Sequence, residues 1–475
     1  MDHSGRHGEL LLARARNRYG ARRGFPRESR TRGEVVTQNG FSLDLNLCTG
    51  CEACVVACTI ENQLPWGTSW RSVDGFNTRH LPQAPTYHLS LACNHCADAP
   101  CESNCPALAY DKDPDTGAVL LDPERCIGCK YCTWACPYDA PHYDSTAGIV
   151  SKCTFCQHRQ VEGLQPACVA QCPTGALGFS EIGTLPGVED VPGFPRTPAN
   201  PAIRFVPSRS SSPCEAAAAV HPHSILPALP QRASSKTSFR SEAPLWAFSL
   251  TCSFLVGAST TSAGREWLPG PVFLLLAILA ASASTLHLGR KERAWRAILN
   301  WRRSWLSREI LLFTAFAGLG TVEFMRWMPV AWGGWLVAVA GLCTLFAIDK
   351  VYSVTATPGL DWHSARTLGT GLMLAGVIAQ SPWLFGVVAA LKAASYVARK
   401  YQFRRRGVAW RPAVSLVRLV AGLAVPLTLI LGGVENTLLL AWMAVAVGEI
   451  VDRAEFYLEL EISTPARQIQ RDLAA

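Results

Sequence analysis

Nothing constrains this chain more than the stretch Cys126–Pro137, which reads CIGCKYCTWACP. Three cysteines spaced C-x2-C-x2-C are followed by a fourth after three residues, and then by a proline. At that spacing one short loop aims three thiolates at a single iron–sulfur cube, while the fourth cysteine points away toward a neighbouring cube. Pro137 cannot extend the local hydrogen-bonding pattern, so the chain turns off after it. The run has three companions. Cys48, Cys51, Cys54 and Cys58 repeat its spacing. Cys93, Cys96, Cys101 and Cys105 stretch it and end in Pro106. Cys153, Cys156, Cys168 and Cys172 insert eleven residues and end in Pro173.

Four groups of four predict sixteen ligands for four [4Fe–4S] clusters. The competing chemistries fit less well. Zinc ribbons pair C-x2-C units and seldom add a tight third cysteine. A disulfide scaffold belongs to an oxidising compartment and usually to a short chain. Cys214, Cys252 and Cys343 stand outside any motif, and the last two lie in apolar runs as inert small hydrophobes.

The rest of the chain divides by composition. Its 475 residues allow two or three domains. The net charge of +8 is not spread as in a nucleic-acid binder. Nine arginines fall in the first 33 residues, and most of the remaining excess lies between apolar runs of the C-terminal half. Residues 1–40 lack hydrophobic periodicity and read as a basic flexible arm. Arg22-Arg23 invites a twin-arginine export signal, but the polar GFPRESRTRG follows where an apolar core is required.

Residues 41–183 hold the cysteine groups. The strand-like runs FSLDLNLC and GAVLLDPERC each precede one group, and PTGALGF follows the last, as in an α+β ferredoxin-like domain. Such a domain owns little apolar core, so its clusters are expected to supply much of the folding energy. Residues 184–243, with ten prolines and nine serines, read as an extended linker. Residues 244–460 contain eight apolar runs, roughly 245–263, 271–288, 306–325, 330–348, 367–381, 383–398, 413–431 and 437–456. A spanning helix needs ~20 apolar residues. Tryptophans cluster near run ends, as in an interfacial belt. The expectation is an all-α eight-helix transmembrane bundle, with residues 461–475 as a C-terminal tail.

Loop charge orients the bundle. Loops 289–304, 349–366 and 399–412 carry fourteen Lys and Arg between them, whereas the loops on the other side carry only Arg265 and Arg326. Short loops rich in Lys and Arg stay in the cytoplasm. The cluster domain shares their side and is expected to be cytoplasmic, at the inner face of the cell membrane; the missing export signal agrees.

Ionisable groups inside a membrane are expensive and mark function. His287 ends the second run, Glu309 begins the third and Tyr352 follows the fourth. Arg418 comes early in the seventh, and Glu449, Asp452 and Arg453 come late in the eighth. All fall toward the cluster-bearing side, as a site exchanging electrons and protons with a quinone requires. His287, able to hydrogen-bond a quinone carbonyl near neutral pH, heads this set, with Glu309, Tyr352, Arg418, Glu449 and Arg453 as the other candidate quinone residues. Lys392 is read as snorkelling toward Arg399, and Glu449 as pairing with Arg453 one turn on.

The motifs CTGCEACVVAC, CNHCADAPCESNC and CIGCKYCTWACPYDAPHYD resemble the four-cluster electron-transfer subunit of dimethyl sulfoxide reductase-type molybdenum enzymes. LHLG at 286–289, SREI at 307–310, VYS at 351–353 and GEIVDRAEFY at 448–457 resemble the anchor subunit of the same enzymes. The chain therefore looks like a natural fusion of the two. The resemblance implies one cluster on Cys48, Cys51, Cys54 and Cys172, and another on Cys58, Cys153, Cys156 and Cys168. It implies a third on Cys93, Cys96, Cys101 and Cys136, and a fourth on Cys105, Cys126, Cys129 and Cys132. Some relatives carry tryptophan at the position of Cys129 and a three-iron cluster; the cysteine here implies a four-iron one. The family's quinol site uses a histidine matching His287 and an acid matching Glu309.

No stretch reads as a molybdopterin-binding domain, so the substrate chemistry is expected of a separate catalytic partner. The leading expectation is a non-catalytic electron-transfer and membrane-anchor subunit between the menaquinone or ubiquinone pool and that partner, in anaerobic respiration. A reading within the same family reverses the flow, as in cytoplasm-facing sulfite:quinone oxidoreductases. A reading of another class is a membrane iron–sulfur sensor or scaffold without a catalytic partner.

Overall fold

The computed structural model describes residues 38–81, 84–209, 239, 242–327, 332–355, 363–405, 412–432, 438–460 and 462–474. Residues 1–37 of the N-terminal arm, the 210–238 portion of the Pro/Ser stretch with Cys214, and Arg406, Arg411 and Glu435 lie outside the described residues. The chain forms two compact units. The cysteine unit includes the residues up to 209 together with Leu288–Arg296 and the segment from Ile462 onward. The helical unit includes Ser235–His287 and Ala297–Glu461.

Among the described residues the cysteine unit contains nine short strands: β1 (Asn39–Asp44), β2 (Ser72–Phe76), β3 (Tyr87–Leu91), β4 (Tyr110–Lys112), β5 (Val119–Leu121), β6 (His142–Asp144), β7 (Ile149–Ser151), β8 (Leu177–Glu181) and β9 (Ile203–Val206). Alternation of side chains across a strand puts Phe41 and Leu43 on one face. β8 pairs antiparallel with β1, setting Phe41 opposite Phe179, and β9 pairs parallel on the other edge, setting Leu43 opposite Phe205. Phe41 stacks on Phe155 with ring centroids 5.2 Å apart, which ties the sheet to the fourth cysteine group. The other strands form the antiparallel pairs β2–β3, β4–β5 and β6–β7.

Two boundaries differ from the expectation. Residues 184–209, whose prolines predict a linker, are ordered. Val188 bridges Phe205, with N···O distances of 2.7 and 2.8 Å, and β9 covers an otherwise open edge of β1. The prolines flank the four residues of β9 and none interrupts them, so the ladder loses no donor. The C-terminal segment, expected to be a tail, carries the helix Pro465–Ala474. Asp472 Oδ2 accepts a hydrogen bond from the Gly193 amide at 2.6 Å, and Ile469 is buried.

Leu288–Arg296, from the basic loop between the second and third apolar runs, packs on the CIGC turn. The Arg290 amide donates to Ile127 O at 3.1 Å, and Arg293 Nη1 donates to Pro123 O at 2.7 Å and Cys126 O at 3.2 Å. Glycine is required where these backbones meet. Gly128 has φ +68°, and a Cβ there would strike Gly148 O.

In the helical unit each apolar run is largely helical over its described residues. The helices are Ala243–Ser259, Gly270–Leu286, Trp305–Phe324, Gly333–Val351, Thr367–Ile378, Pro382–Arg405, a composite Pro412–Leu431 and Leu438–Glu459. Among the described residues, Gly333–Val354 and Pro412–Leu431 are each long and apolar enough to cross a membrane, and Gly270–Leu286 joins them if counted with Lys291–Ile298. Thr367–Ile378, with 12 residues, rises only about 18 Å, well short of the hydrocarbon thickness. Phe248, Cys252 and Val256 pack against Phe273, Phe316 and Leu345. A second core joins Met373, Phe385, Leu423 and Val445. Large apolar side chains such as Leu279, Trp335, Trp383, Leu391 and Leu440 face outward, the inverse of a water-soluble bundle.

The composite helix is π-helical over Val417–Ala424. Pro426 has no amide to offer Gly422 O and its ring crowds that carbonyl, so a widened turn relieves the clash. Gly422 itself crosses Gly448 so closely that a Cβ would sit 2.6 Å from Gly448 Cα. This small-residue crossing sets Arg418 beside Glu449.

Candidate functional site

The sixteen motif cysteines all lie in the cysteine unit, most of them buried. Their electrostatic neighbours sort them into quartets that draw on different runs. Cys48 feels Cys54, Cys172 and Cys51. Cys153 feels Cys58, Cys156 and Cys168. Cys96 feels Cys93, Cys136 and Cys101, and Cys132 feels Cys129, Cys126 and Cys105. The quartets also touch one another in series. Arg71 stands among Cys54, Cys58, Cys153 and Cys168, Cys153 reaches Cys93, and Cys101 reaches Cys132.

Burial pushes the Cys58 thiol up to about 12 and the Cys105 thiol up to about 11. Such thiols ionise when a metal supplies the compensating charge. A cavity lined by Cys93, Cys96, Cys101 and Cys136 opens beside Lys152. Among the described residues no three His, Cys, Asp or Glu side chains converge tightly enough for a single ion. A cube takes one thiolate on each of its irons, so wider quartets suit it better than they suit zinc.

Two buried cations accompany the thiols, and the spacing of the cysteines gave no sign of either. Lys152 Nζ lies 3.5 Å from Cys93 Sγ and donates to Cys153 O at 3.0 Å and to Val119 O. Burial opposes its charge, but Cys93, Cys101 and Cys153 outweigh burial and hold its pKa above the usual lysine value. Arg71 gives Nη1 to Ser90 O and Ser90 Oγ, while its buried Nε and Nη2 have no partner among the described residues. A cluster with four thiolates is anionic, and these are the counter-charges it would meet. The residues therefore fit iron–sulfur clusters.

Five of the six remaining candidates, all but His287, fall into two sets in the helical unit. Glu309 is buried in the second turn of Trp305–Phe324, and His287 caps the end of Gly270–Leu286. Tyr352 and Tyr457 share a hydrogen bond of 2.7 Å between their hydroxyls, and both feel Arg453 and Glu309. Arg453 is 1% exposed, yet its Nε and Nη2 have no partner among the described residues. Tyr457 gave no signal in the sequence because a tyrosine near a helix end reads as an interfacial anchor.

Arg418 and Glu449 belong to the other set, and two pairings differ from the expectation. Lys392 does not snorkel toward Arg399: its Nζ is 2.9 Å from Glu449 Oε1. Glu449 pairs with Lys392 and with Arg418 (2.9 Å), not with Arg453. The local readings failed because both partners come from other helices, brought close by the Gly422–Gly448 crossing.

Comparison with known proteins agrees with a cysteine part followed by an anchor part. Residues 85–182 match the 4Fe-4S dicluster domain family, and residues 247–397 match the dimethyl sulfoxide reductase anchor subunit family. A chain of the anaerobic dimethyl sulfoxide reductase of Escherichia coli K12 is 38% identical over 194 residues, which are 38% of this chain and 93% of that protein. This chain belongs to the dimethyl sulfoxide reductase family. It joins the family's iron–sulfur and anchor subunits in one polypeptide, and its role is electron transfer and membrane anchoring. A sulfite dehydrogenase subunit of Allochromatium vinosum is 37% identical over 168 residues, 31% of this chain and 70% of the relative. A tetrathionate reductase subunit of Salmonella typhimurium is 43% identical over 142 residues, 30% of this chain and 56% of the relative.

Proposed function

We propose that this chain carries electrons between the membrane quinone pool and a separate molybdopterin-containing catalytic subunit, in the manner of dimethyl sulfoxide reductase. The observation that carries the reading is the series of four thiol quartets, each drawing on more than one cysteine run. Each quartet would hold one [4Fe–4S] cluster with the ligand sets given above. Clusters bound there would supply one-electron transfer, in a series that begins at Cys48 and ends at Cys126. Lys152 and Arg71 place positive charge between neighbouring quartets, which favours the reduced state of each.

At the membrane half, Arg453 and the Tyr352–Tyr457 pair would hold a quinone oxygen, with Glu309 exchanging its proton and His287 as a further donor. Arg453 is suited to this because two of its buried nitrogens still require acceptors. Arg418 and Glu449 satisfy each other and would act from outside the pocket. This reading keeps eight membrane passages with the cysteine unit in the cytoplasm, for which the Lys/Arg bias of the loops is the support.

A second reading has the electrons run from a sulfite-oxidising partner to quinone. The cytoplasmic loop bias and the similarity to a sulfite dehydrogenase subunit favour it. Affinity purification of this chain from its native membranes tests both readings. They expect a co-purifying molybdopterin protein, whose activity on dimethyl sulfoxide or on sulfite separates them. A preparation with clusters and no such partner refutes both.

A further inference from the structure

Beyond the quinone pocket, the helical unit buries a ladder of charge that neither cluster binding nor quinone binding uses. The Leu438–Glu459 helix presents Glu449, Asp452, Glu455 and Glu459 at three- and four-residue intervals, which places them along one face over about 15 Å. The Pro382–Arg405 helix answers with Lys392, Tyr396, Arg399 and Lys400, and Arg418 joins from the π-helical turn. Every rung is in contact with the next. Lys392 meets Glu449 at 2.9 Å, Glu449 meets Arg418 at 2.9 Å, and Arg418 meets Asp452 at 3.0 Å. Asp452 meets Arg399 at 3.4 Å, Arg399 meets Glu459 at 3.1 Å, and Glu459 meets Lys400 at 2.7 Å. Side-chain exposure grades from 1% at Glu449, midway along its helix, to 14% at Glu459 and Lys400.

We propose that this ladder is a proton pathway linking the quinone site to water. The inference rests on the quinone reading above. Oxidising a quinol to a quinone releases two electrons, which pass to the redox groups of the cysteine unit, and two protons, which must leave a buried pocket; reduction reverses both. Three features suit the ladder to that task. First, carboxylates alternate with hydroxyls that both give and accept protons. Thr370 Oγ1 donates to Glu449 at 2.6 Å, Ser364 Oγ to Asp452 at 2.8 Å, and Tyr396 OH to Glu455 at 2.7 Å.

Second, the four carboxylates balance Lys392, Arg399, Lys400 and Arg418, so the resting ladder is neutral and one added proton is its only excess charge. Third, His363 connects ladder and pocket. It feels both Asp452 and Arg453, its ring meets Phe456 edge-on at 4.7 Å, and its Nε2 is 3.8 Å from Glu459 Oε2. The Ala365 amide donates to His363 Nδ1 at 3.0 Å, and Arg399 also contacts the ring. A seam built for stability alone would be better served by apolar side chains, because burying eight charges costs more than such pairing returns.

The test uses the intact complex with its catalytic partner, in liposomes, with a pH-sensitive dye outside or trapped within. Glu459→Gln and the uncharged pair Arg399→Gln/Asp452→Asn interrupt the ladder at the rungs nearest His363, and the charges that remain keep a partner. The expected result is quinol oxidation slowed about tenfold or more, with a larger slowing in heavy water. Binding of a fluorescent quinone analogue and cluster reduction by dithionite should stay at wild-type levels, which a merely structural role would not spare. Glu459→Asp should recover most of the rate. Assembled variants with wild-type turnover and an unchanged heavy-water effect overturn the pathway alone. A wild-type complex that neither binds the analogue nor oxidises quinol overturns the quinone reading and the pathway with it.

Discussion

Lys392 Nζ and Glu449 Oε1 meet at 2.9 Å between two helices, with 5% and 1% of their side chains exposed. Removing Glu449 strands the buried Lys392 ammonium without its counter-charge. Glu449→Ala is expected to destabilise the helical unit by about 3–5 kcal/mol, and Lys392→Met/Glu449→Leu by much less. Thermal denaturation in detergent, read by helical circular dichroism, checks the order of the two variants.

The thiol quartets predict the metal content. Protein purified without oxygen should be brown and hold about sixteen irons, four per cube. Cys129→Ser should lose or convert one cluster, that of Cys105, Cys126 and Cys132, leaving the other three and membrane insertion intact. Iron analysis with electron paramagnetic resonance checks this. A colourless, zinc-loaded protein, or unchanged cluster content in the variant, contradicts it.

Lys152 predicts a potential. Its ammonium group lies 3.5 Å from Cys93 Sγ, where it would stabilise the extra electron of a reduced cluster held by that thiolate. Lys152→Met is expected to lower the midpoint of that cluster by on the order of tens of millivolts and to leave the cluster on Cys126 unmoved. Redox titration followed by electron paramagnetic resonance resolves the two.

Topology follows from loop charge. A reporter fused after Ala475 and another inserted into loop 399–412 should both be active only as cytoplasmic reporters. Two periplasmic results reverse the orientation. Disagreement between the reporters changes the number of passages, most directly at Ser381-Pro382, between the short Thr367–Ile378 helix and its neighbour.

The fold was legible where physics is local. The cysteine spacings marked every group, and the alternation in FSLDLNLC marked β1, because ligand geometry and strand periodicity act over a few residues. The grouping of Cys136 with the Cys93 run rests on three-dimensional contact, and the spacing alone was silent on it. β9 was hidden because its flanking prolines dominate the composition while its four residues are too few to show a pattern. Lys392 was misleading because snorkelling is a property of one helix and ion pairing is a property of two. His363 gave no signal: it stands in a polar loop, and only the packing of Phe456 and Arg399 against it reveals its setting.

The central claim is that quinone and clusters exchange electrons within this one chain. Adding a reduced menaquinone analogue to the oxidised, purified protein, without its catalytic partner, tests it most directly. The account predicts reduced [4Fe–4S] signals in the electron paramagnetic resonance spectrum. Arg453→Leu should abolish their appearance with quinol while dithionite still reduces every cluster. Clusters that quinol leaves oxidised in the wild-type protein, though their midpoints lie above that of the quinol, would contradict it.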